Sequence, residues 1–302
     1  MRLTRRTIIG ASASAVFSLG WPLSHATTTK KIRKQIPGTD EWLSAVGIGT
    51  NRYKIGDAEY NARLRETLKV FAELGGDVID TAPRYRSSET ILGRLIQELG
   101  IRDKLFLATK SNLEARGGGA EQMQASQKKL KSARIDLMQS HNLSGAKSML
   151  PVMREWQQDG RIRYIGITTS RAGQFRDVTK LMNKEPLDFV QVNYSLADRE
   201  AAERILPLAQ EKNIAVLINV PFGRGRLFNT VGDRPLPDWA REFDCDSWAQ
   251  FFLKYVISHP AVTCAIPGTT RPEHAIDNHG ATIGRLPNAQ ERKRQEAWFD
   301  AL

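Results

Sequence analysis

Three short stretches place reactive side chains at the ends of apolar runs. Asp80 closes Asp77-Val-Ile-Asp80 and leads into Thr-Ala-Pro-Arg-Tyr85. Lys110 closes Leu105-Phe-Leu-Ala-Thr-Lys110, and His141 closes Ile135-Asp-Leu-Met-Gln-Ser-His141. A carboxylate, a phenol, an ammonium and an imidazole are groups that hold and move protons at a reacting atom. They can act together only if the chain gathers the ends of these runs. A closed parallel barrel does so, because all its strands point their C-terminal ends at one face.

The rest of the chain supplies the elements such a barrel needs. Apolar runs at 44–49, 78–80, 105–110, 135–140, 162–168, 189–193, 215–219 and 262–266 predict eight strands. Helical stripes fall between them. Leu64, Leu68, Phe71 and Ala72 share one face, and Gly75-Gly76 stops that helix. Ile91, Leu92, Leu95, Ile96 and Leu99 form another stripe, with Ser87 or Ser88 as N-cap. Met149, Leu150, Met153 and Trp156 form a third. Trp248, Phe251, Phe252, Tyr255 and Val256 form a later one, capped by Asp246 and read as ordinary core. Strand–helix alternation repeated in this way predicts an α/β fold, a (β/α)8 TIM barrel, over residues 27–302. An open dinucleotide-binding sheet is the rival. Its Gly-x-Gly-x-x-Gly turn is absent, since Gly47-Ile-Gly49 runs on into Thr50-Asn51-Arg52. Residues 27–42 are expected to strap the barrel floor, and residues 221–246 form a long loop after the seventh strand.

Composition narrows the class. The 302 residues are 41% hydrophobic and carry a net charge of +11. The basic residues are scattered, as in Arg161-Ile-Arg163 and Arg224-Gly-Arg226, with no stripe interleaved with aromatics, so no nucleic-acid partner is expected. His25, His259, His274 and His279 show no metal-ligand spacing, and the two cysteines, Cys245 and Cys264, make no Cys-x-x-Cys. Cys264 lies in an apolar run and reads as a small buried residue; a disulfide between the two stays open if the protein is exported.

Residues 1–26 read as an address. Arg5-Arg6 precedes a weakly apolar stretch rich in Ala and Ser, and Ser24-His25-Ala26 offers small residues for cleavage. Twin arginines in that setting resemble a bacterial Tat signal. The expectation is a folded protein passed by the Tat export machinery to the periplasm, with a cytoplasmic location if the segment is not a signal.

The ordered set Gly47-Ile-Gly49-Thr50, Asp80-Thr81-Ala82, Tyr85, Ser88-Glu89, Leu92-Gly93, Lys110, His141, Gly166, Gln191-Val-Asn193-Tyr194 and Ile266-Pro-Gly-Thr-Thr-Arg-Pro-Glu-His274 with Asn278 resembles the aldo/keto reductase family, from about Leu43 to the C-terminus. The resemblance implies a reductase in which Tyr85 is the general acid, Lys110 lowers its pKa, Asp80 holds Lys110 and His141 orients the carbonyl oxygen. It implies NADPH as cofactor, with NADH open, lying across the barrel mouth. Its holders would be Gly49 and Thr50, then Thr168, Thr169 and Gln191, then Pro221, Phe222 and Gly223, and finally Pro267, Gly268, Thr269, Arg271, His274, Asp277 and Asn278. Two positions depart from the family pattern. Asn219 stands where an aromatic residue usually stacks on the nicotinamide, with Phe222 nearby. Gly268, Thr269 and His274 stand where the 2′-phosphate usually meets basic groups, and Arg271 is the nearest substitute.

The leading expectation is a monomeric reductase of small carbonyl compounds, able to run in reverse. The alternative is a nucleotide-binding sensor or regulatory subunit on the same barrel, which need not keep all four catalytic side chains. Trp42, Trp239, Arg84, Arg86, Arg224 and Arg226 are candidates to line or gate the mouth.

Overall fold

Short runs rich in Val, Ile and Leu, too brief for helices and buried along their whole length, form the staves of a parallel barrel. The computed structural model describes residues 31–302, so the address segment lies outside the described residues. The chain enters through an antiparallel hairpin of β1 (Arg33–Gln35) and β2 (Trp42–Ser44). Eight parallel strands follow: β3 (Ile48–Gly49), β4 (Val78–Asp80), β5 (Phe106–Ser111), β6 (Ile135–His141), β7 (Ile162–Thr168), β8 (Phe189–Asn193), β9 (Ala215–Asn219) and β10 (Cys264–Ala265), hydrogen-bonded in chain order. Parallel bridges Val46–Ala265 and Gly49–Gly268 join the first of these to the last and close the barrel.

Helices wrap the outside: α1 (Ala58–Glu73), α2 (Ser88–Leu99), α3 (Gly119–Leu130), α4 (Ala146–Gln158), α5 (Phe175–Lys184), α6 (Ala201–Glu211), α7 (Arg226–Val231), α8 (Trp248–Ile257), α9 (Pro272–Gly280) and α10 (Ala289–Asp300). Gly93 sits where α2 crosses the end of α3. A Cβ there would lie 2.1 Å from the Lys129 carbonyl oxygen, so no larger residue fits that crossing.

Apolar residues fall into two shells. Val78, Phe106, Leu137, Phe189, Leu217 and Cys264 fill the barrel interior, and Ile36 and Leu43 of the hairpin plug its floor. A larger shell lies between strands and helices. The floor is also tied electrostatically. Arg163 donates to Glu41 and, at 2.9 Å, to Asp136; Arg102 donates to the other oxygen of Asp136 at 2.9 Å; and Leu107 N–H donates to that same oxygen at 2.8 Å.

Several boundaries differ from the sequence reading. The run at 44–49 divides, because Ser44 Oγ donates to the Val46 carbonyl at 2.9 Å and turns the chain between hairpin and barrel. Helix α8 is capped by Ser247, whose Oγ accepts from Gln250 N–H at 3.1 Å, and not by Asp246. Ser87 is the residue before α2, but its hydroxyl accepts from Ile55 N–H and caps nothing in the helix. The loop at 221–246 contains α7 and single helical turns. Cys245 and Cys264 are both buried and unpaired, and burial raises both thiol pKa values, that of Cys245 to about 12. Trp42 lies on the floor hairpin, half exposed, and so does not gate the mouth. Among the described residues no helix is long and apolar enough to cross a membrane.

Candidate active site

Strand register decides which side chains meet. Lys110 pairs across β5–β6 with Gln139, His141 pairs with Thr168, and Thr168 pairs with Gln191. Asp80 ends β4 just below this level. The result is a buried polar layer at the C-terminal ends of the strands, where barrel chemistry is done.

Lys110 Nζ donates to Asp80 Oδ2 at 2.6 Å and to the Thr81 carbonyl at 2.8 Å. The other Asp80 oxygen accepts from Gln139 at 3.2 Å and from Gln191 at 2.9 Å. The ammonium lies 5.2 Å from the centre of the Tyr85 ring, and that ring meets His141 edge-on at 5.8 Å. All four catalytic candidates therefore share one site. Gln139 was not expected from the sequence. Its signal was a long polar side chain inside an otherwise apolar run.

Charge states follow from burial and partners. Burial disfavours the Lys110 ammonium, but Asp80 and Tyr85 outweigh it and raise the Lys110 pKa, so the charge is secure. For Tyr85 the balance differs from expectation. Burial raises its pKa more than Lys110 lowers it, so the net direction is upward. The phenol stays protonated through neutrality, the form that can donate. Burial, then the charges of Lys110 and Arg84, push the His141 pKa down to about 3. Its imidazole is neutral at ordinary pH, and buried Nδ1 has no partner.

A cavity of about 810 Å³ opens above this layer. Asp80, Tyr85 and His141 line it, and so do His274, Asp277 and Asn278. Gly49, Thr50, Thr168, Gln191, Pro221, Phe222 and Gly268 complete the wall. Thr169 does not line it: its hydroxyl donates to Gln174 at 2.5 Å and accepts from Arg171 N–H. Thr269 is buried behind Gly268, donating to the Pro267 carbonyl and accepting from Asn278. Lys110, Gly223 and Pro267 also stand off the wall. Arg271 lies outside it, exposed, with its guanidinium 3.8 Å from Glu273.

Thr168 and Gln191 hold each other at 2.6 Å while Gln191 braces Asp80. Asn219 donates to the Thr169 carbonyl at 3.0 Å and keeps Oδ1 unpartnered. Phe222 packs on Phe228, and Phe228 on Phe252. Ser247 and Trp248 also line the cavity, although Trp248 was expected to be plain core. Ser247 and Gln250 both donate to Asp277 Oδ1, fixing that carboxylate.

These residues fit a dinucleotide. One cavity is lined both by the catalytic candidates Asp80, Tyr85 and His141 and by Asp277 and Asn278. Helix α9 starts at Pro272 with no side-chain cap, and the backbone N–H groups of Glu273 and His274 are left unpaired, a setting that suits an anion. Close approach of backbone is possible at Gly268, where a Cβ would meet Asn51 Oδ1 at 3.4 Å and the Gly49 carbonyl oxygen at 3.9 Å.

Barrel and site together define an oxidoreductase of the carbonyl–alcohol type. Residues 45–297 match the aldo/keto reductase family, and the chain belongs to it. The aldo-keto reductase YhdN of Bacillus subtilis is 32% identical over 210 residues, 62% of this chain and 62% of its own length. The NADH-specific methylglyoxal reductase of Escherichia coli is 28% identical, with 87% of this chain and 98% of its own length covered. Among solved structures, an aldo-keto reductase from Klebsiella pneumoniae in complex with NADPH superposes with a TM-score of 0.72 at 22% identity, covering 89% of this chain and 95% of its own.

Proposed function

We propose that this chain reduces aldehydes or ketones to alcohols with NADPH, with Tyr85 as proton donor. The observation that carries the reading is the assembly of Asp80, Tyr85, Lys110 and His141 at a cavity also lined by Gly268, His274, Asp277 and Asn278. Bound NADPH supplies a hydride to the carbonyl carbon. Tyr85, held neutral by burial, gives its proton to the carbonyl oxygen as negative charge develops there. Lys110 stabilises the phenolate left behind, and Asp80 keeps that ammonium in place. The neutral His141 offers one N–H to the same oxygen and orients it. Solvent returns the proton to Tyr85, so one hydride and one proton reach the substrate per turnover. Thr168, Gln191 and Asn219 border the place where the nicotinamide would lie. Asp277 and Asn278 border the place for the adenosine.

A sensor with little turnover would not require this tetrad, which favours the enzyme. The proposal extends to location. The twin-arginine pattern of residues 1–26 supports export of a folded, monomeric enzyme to the periplasm. The test is NADPH oxidation by the purified chain with an aromatic aldehyde, beside Tyr85→Phe. Turnover by the parent and its near loss in the variant support the reading. Tight NADPH binding without turnover across a carbonyl panel contradicts it.

A further inference from the structure

The cavity wall that includes Tyr85 carries a cation that the reduction itself does not use. Arg224 lines the cavity together with Tyr85, His141, Asn142 and Ser170. Its backbone is left-handed, φ 58 and ψ 31, between Gly223 and Gly225, which are left-handed too, and Val220 shortly before is also at positive φ. Glycine adopts this conformation freely, but at Arg224 and Val220 it is costly and persists only where the surrounding structure holds it. Among the described residues the guanidinium makes one side-chain hydrogen bond, to Ser170 Oγ at 3.4 Å, and no carboxylate lies within 4.0 Å of it. It has five N–H donors, so most are available to a ligand.

The surroundings sharpen the point. Asp80, the carboxylate nearest the chemistry, is committed to Lys110, Gln139 and Gln191. Asp277, the other carboxylate lining the cavity, is held by Ser247 and Gln250. Arg84 lies close enough to His141 for its charge to lower the imidazole pKa, and Arg224 acts on Tyr85 in the same sense. The reacting end of the cavity is thus flanked by positive charge without a matching carboxylate. A planar fork facing a cleft is suited to bind a carboxylate through two hydrogen bonds.

We propose that the preferred substrates are carbonyl compounds bearing a carboxylate, which Arg224 holds while the carbonyl sits between Tyr85 and His141. The assignment rests on the reductase reading above. The same guanidinium chemistry would also suit a cofactor phosphate, and the experiment separates the two.

The probes are 4-carboxybenzaldehyde and methyl 4-formylbenzoate, which differ in one charge. With NADPH saturating, the parent enzyme should favour the acid in kcat/KM. In Arg224→Gln the acid-to-ester ratio should fall by about tenfold or more, the size of a lost charged hydrogen bond, mostly through KM. Arg224→Lys should recover part of it. Absence of any acid preference in the parent overturns the proposal. So does a parallel loss on both aldehydes with weaker NADPH binding, which would place the guanidinium on the cofactor. Titrating both aldehydes onto the NADP+ complex needs no turnover. If neither aldehyde is reduced but the acid binds more tightly in an Arg224-dependent way, the reductase reading fails while Arg224 stands as a carboxylate-binding residue. If the acid shows no such advantage, this one fails.

Discussion

The two ends of the barrel are built on opposite principles. At the floor the buried and half-buried carboxylates are matched. Asp77 accepts from Ser44 N–H and Arg33, Asp188 from Ile165 N–H and Gln157, and Asp136 from Leu107 N–H, Arg102 and Arg163. Glu41 of the hairpin turn accepts from Arg163 and Tyr164. At the mouth Gln139 Oε1, His141 Nδ1, Asn193 Oδ1 and Asn219 Oδ1 are buried without partners. Buried polar atoms are normally satisfied. Of these four residues His141 and Asn219 line the cavity, where a ligand can complete their hydrogen bonding, while other exceptions such as His279 lie away from it. The floor stabilises the fold, and the mouth leaves part of its hydrogen bonding to what it binds.

Substitutions at the two ends should therefore separate activity from stability. The largest effect is expected for Lys110→Met. It leaves Asp80 buried and uncompensated and removes the charge beside Tyr85. Turnover should fall about a hundredfold to a thousandfold, and unfolding free energy by about 3–5 kcal/mol. Kinetics on the folded fraction, with denaturant melts alongside, check both numbers. A variant that keeps its turnover would remove Lys110 from the chemistry.

At the floor the effects should divide the other way. Asp136→Asn weakens its hydrogen bonds to Arg102 and Arg163 and should cost about 2 kcal/mol of stability. Its kcat should stay within about twofold of the parent, since nothing at the mouth is touched. A large fall in kcat with an unchanged melt would contradict the division.

The smallest effect on turnover is expected from the buried histidines. His141 is pushed down to about 3, and His259 and His279 to about 4, each chiefly by burial. An unfolded histidine titrates near about 6.5. Below that pH the unfolded chain takes up protons that the native chain refuses, so stability is full above it and is lost as pH falls toward 4. The melting temperature should drop by roughly 10 °C between neutral pH and pH 5. Reduction at fixed temperature should show no inflection from His141 in that range, and the raised Tyr85 pKa should keep the rate level into the alkaline range. An inflection near neutrality, removed by a substitution at His141, would sink this assignment.

Much of this contrast is legible in the chain, and the exceptions are instructive. Asp80, Lys110 and His141 could be placed at strand ends because apolar runs stop at them. The floor hairpin was expected as a strap, from a segment outside the repeat. Gln139 was missed because a single strand does not reveal its neighbour: only the β5–β6 register sets it beside Lys110. Trp248 was missed because its stripe suits packing, and it does stack on Phe252 and Trp298, yet one edge faces the cavity. Thr169 was placed by sequence position on the cofactor, but the chain turns there and directs its hydroxyl to Gln174. Residue type and periodicity report burial well. They do not report which atom of a buried residue is left over.

The most direct test of the central claim follows the transferred atom. NADPH carrying deuterium at the reactive carbon would be mixed with an aromatic aldehyde and either the parent chain or Tyr85→Phe, and the alcohol analysed for deuterium. The parent should deliver label to the carbinol carbon, and the phenylalanine variant, although it still binds NADPH, should form little labelled alcohol. Labelled alcohol formed equally fast by both would show that Tyr85 does not donate the proton, and the proposed mechanism would fail.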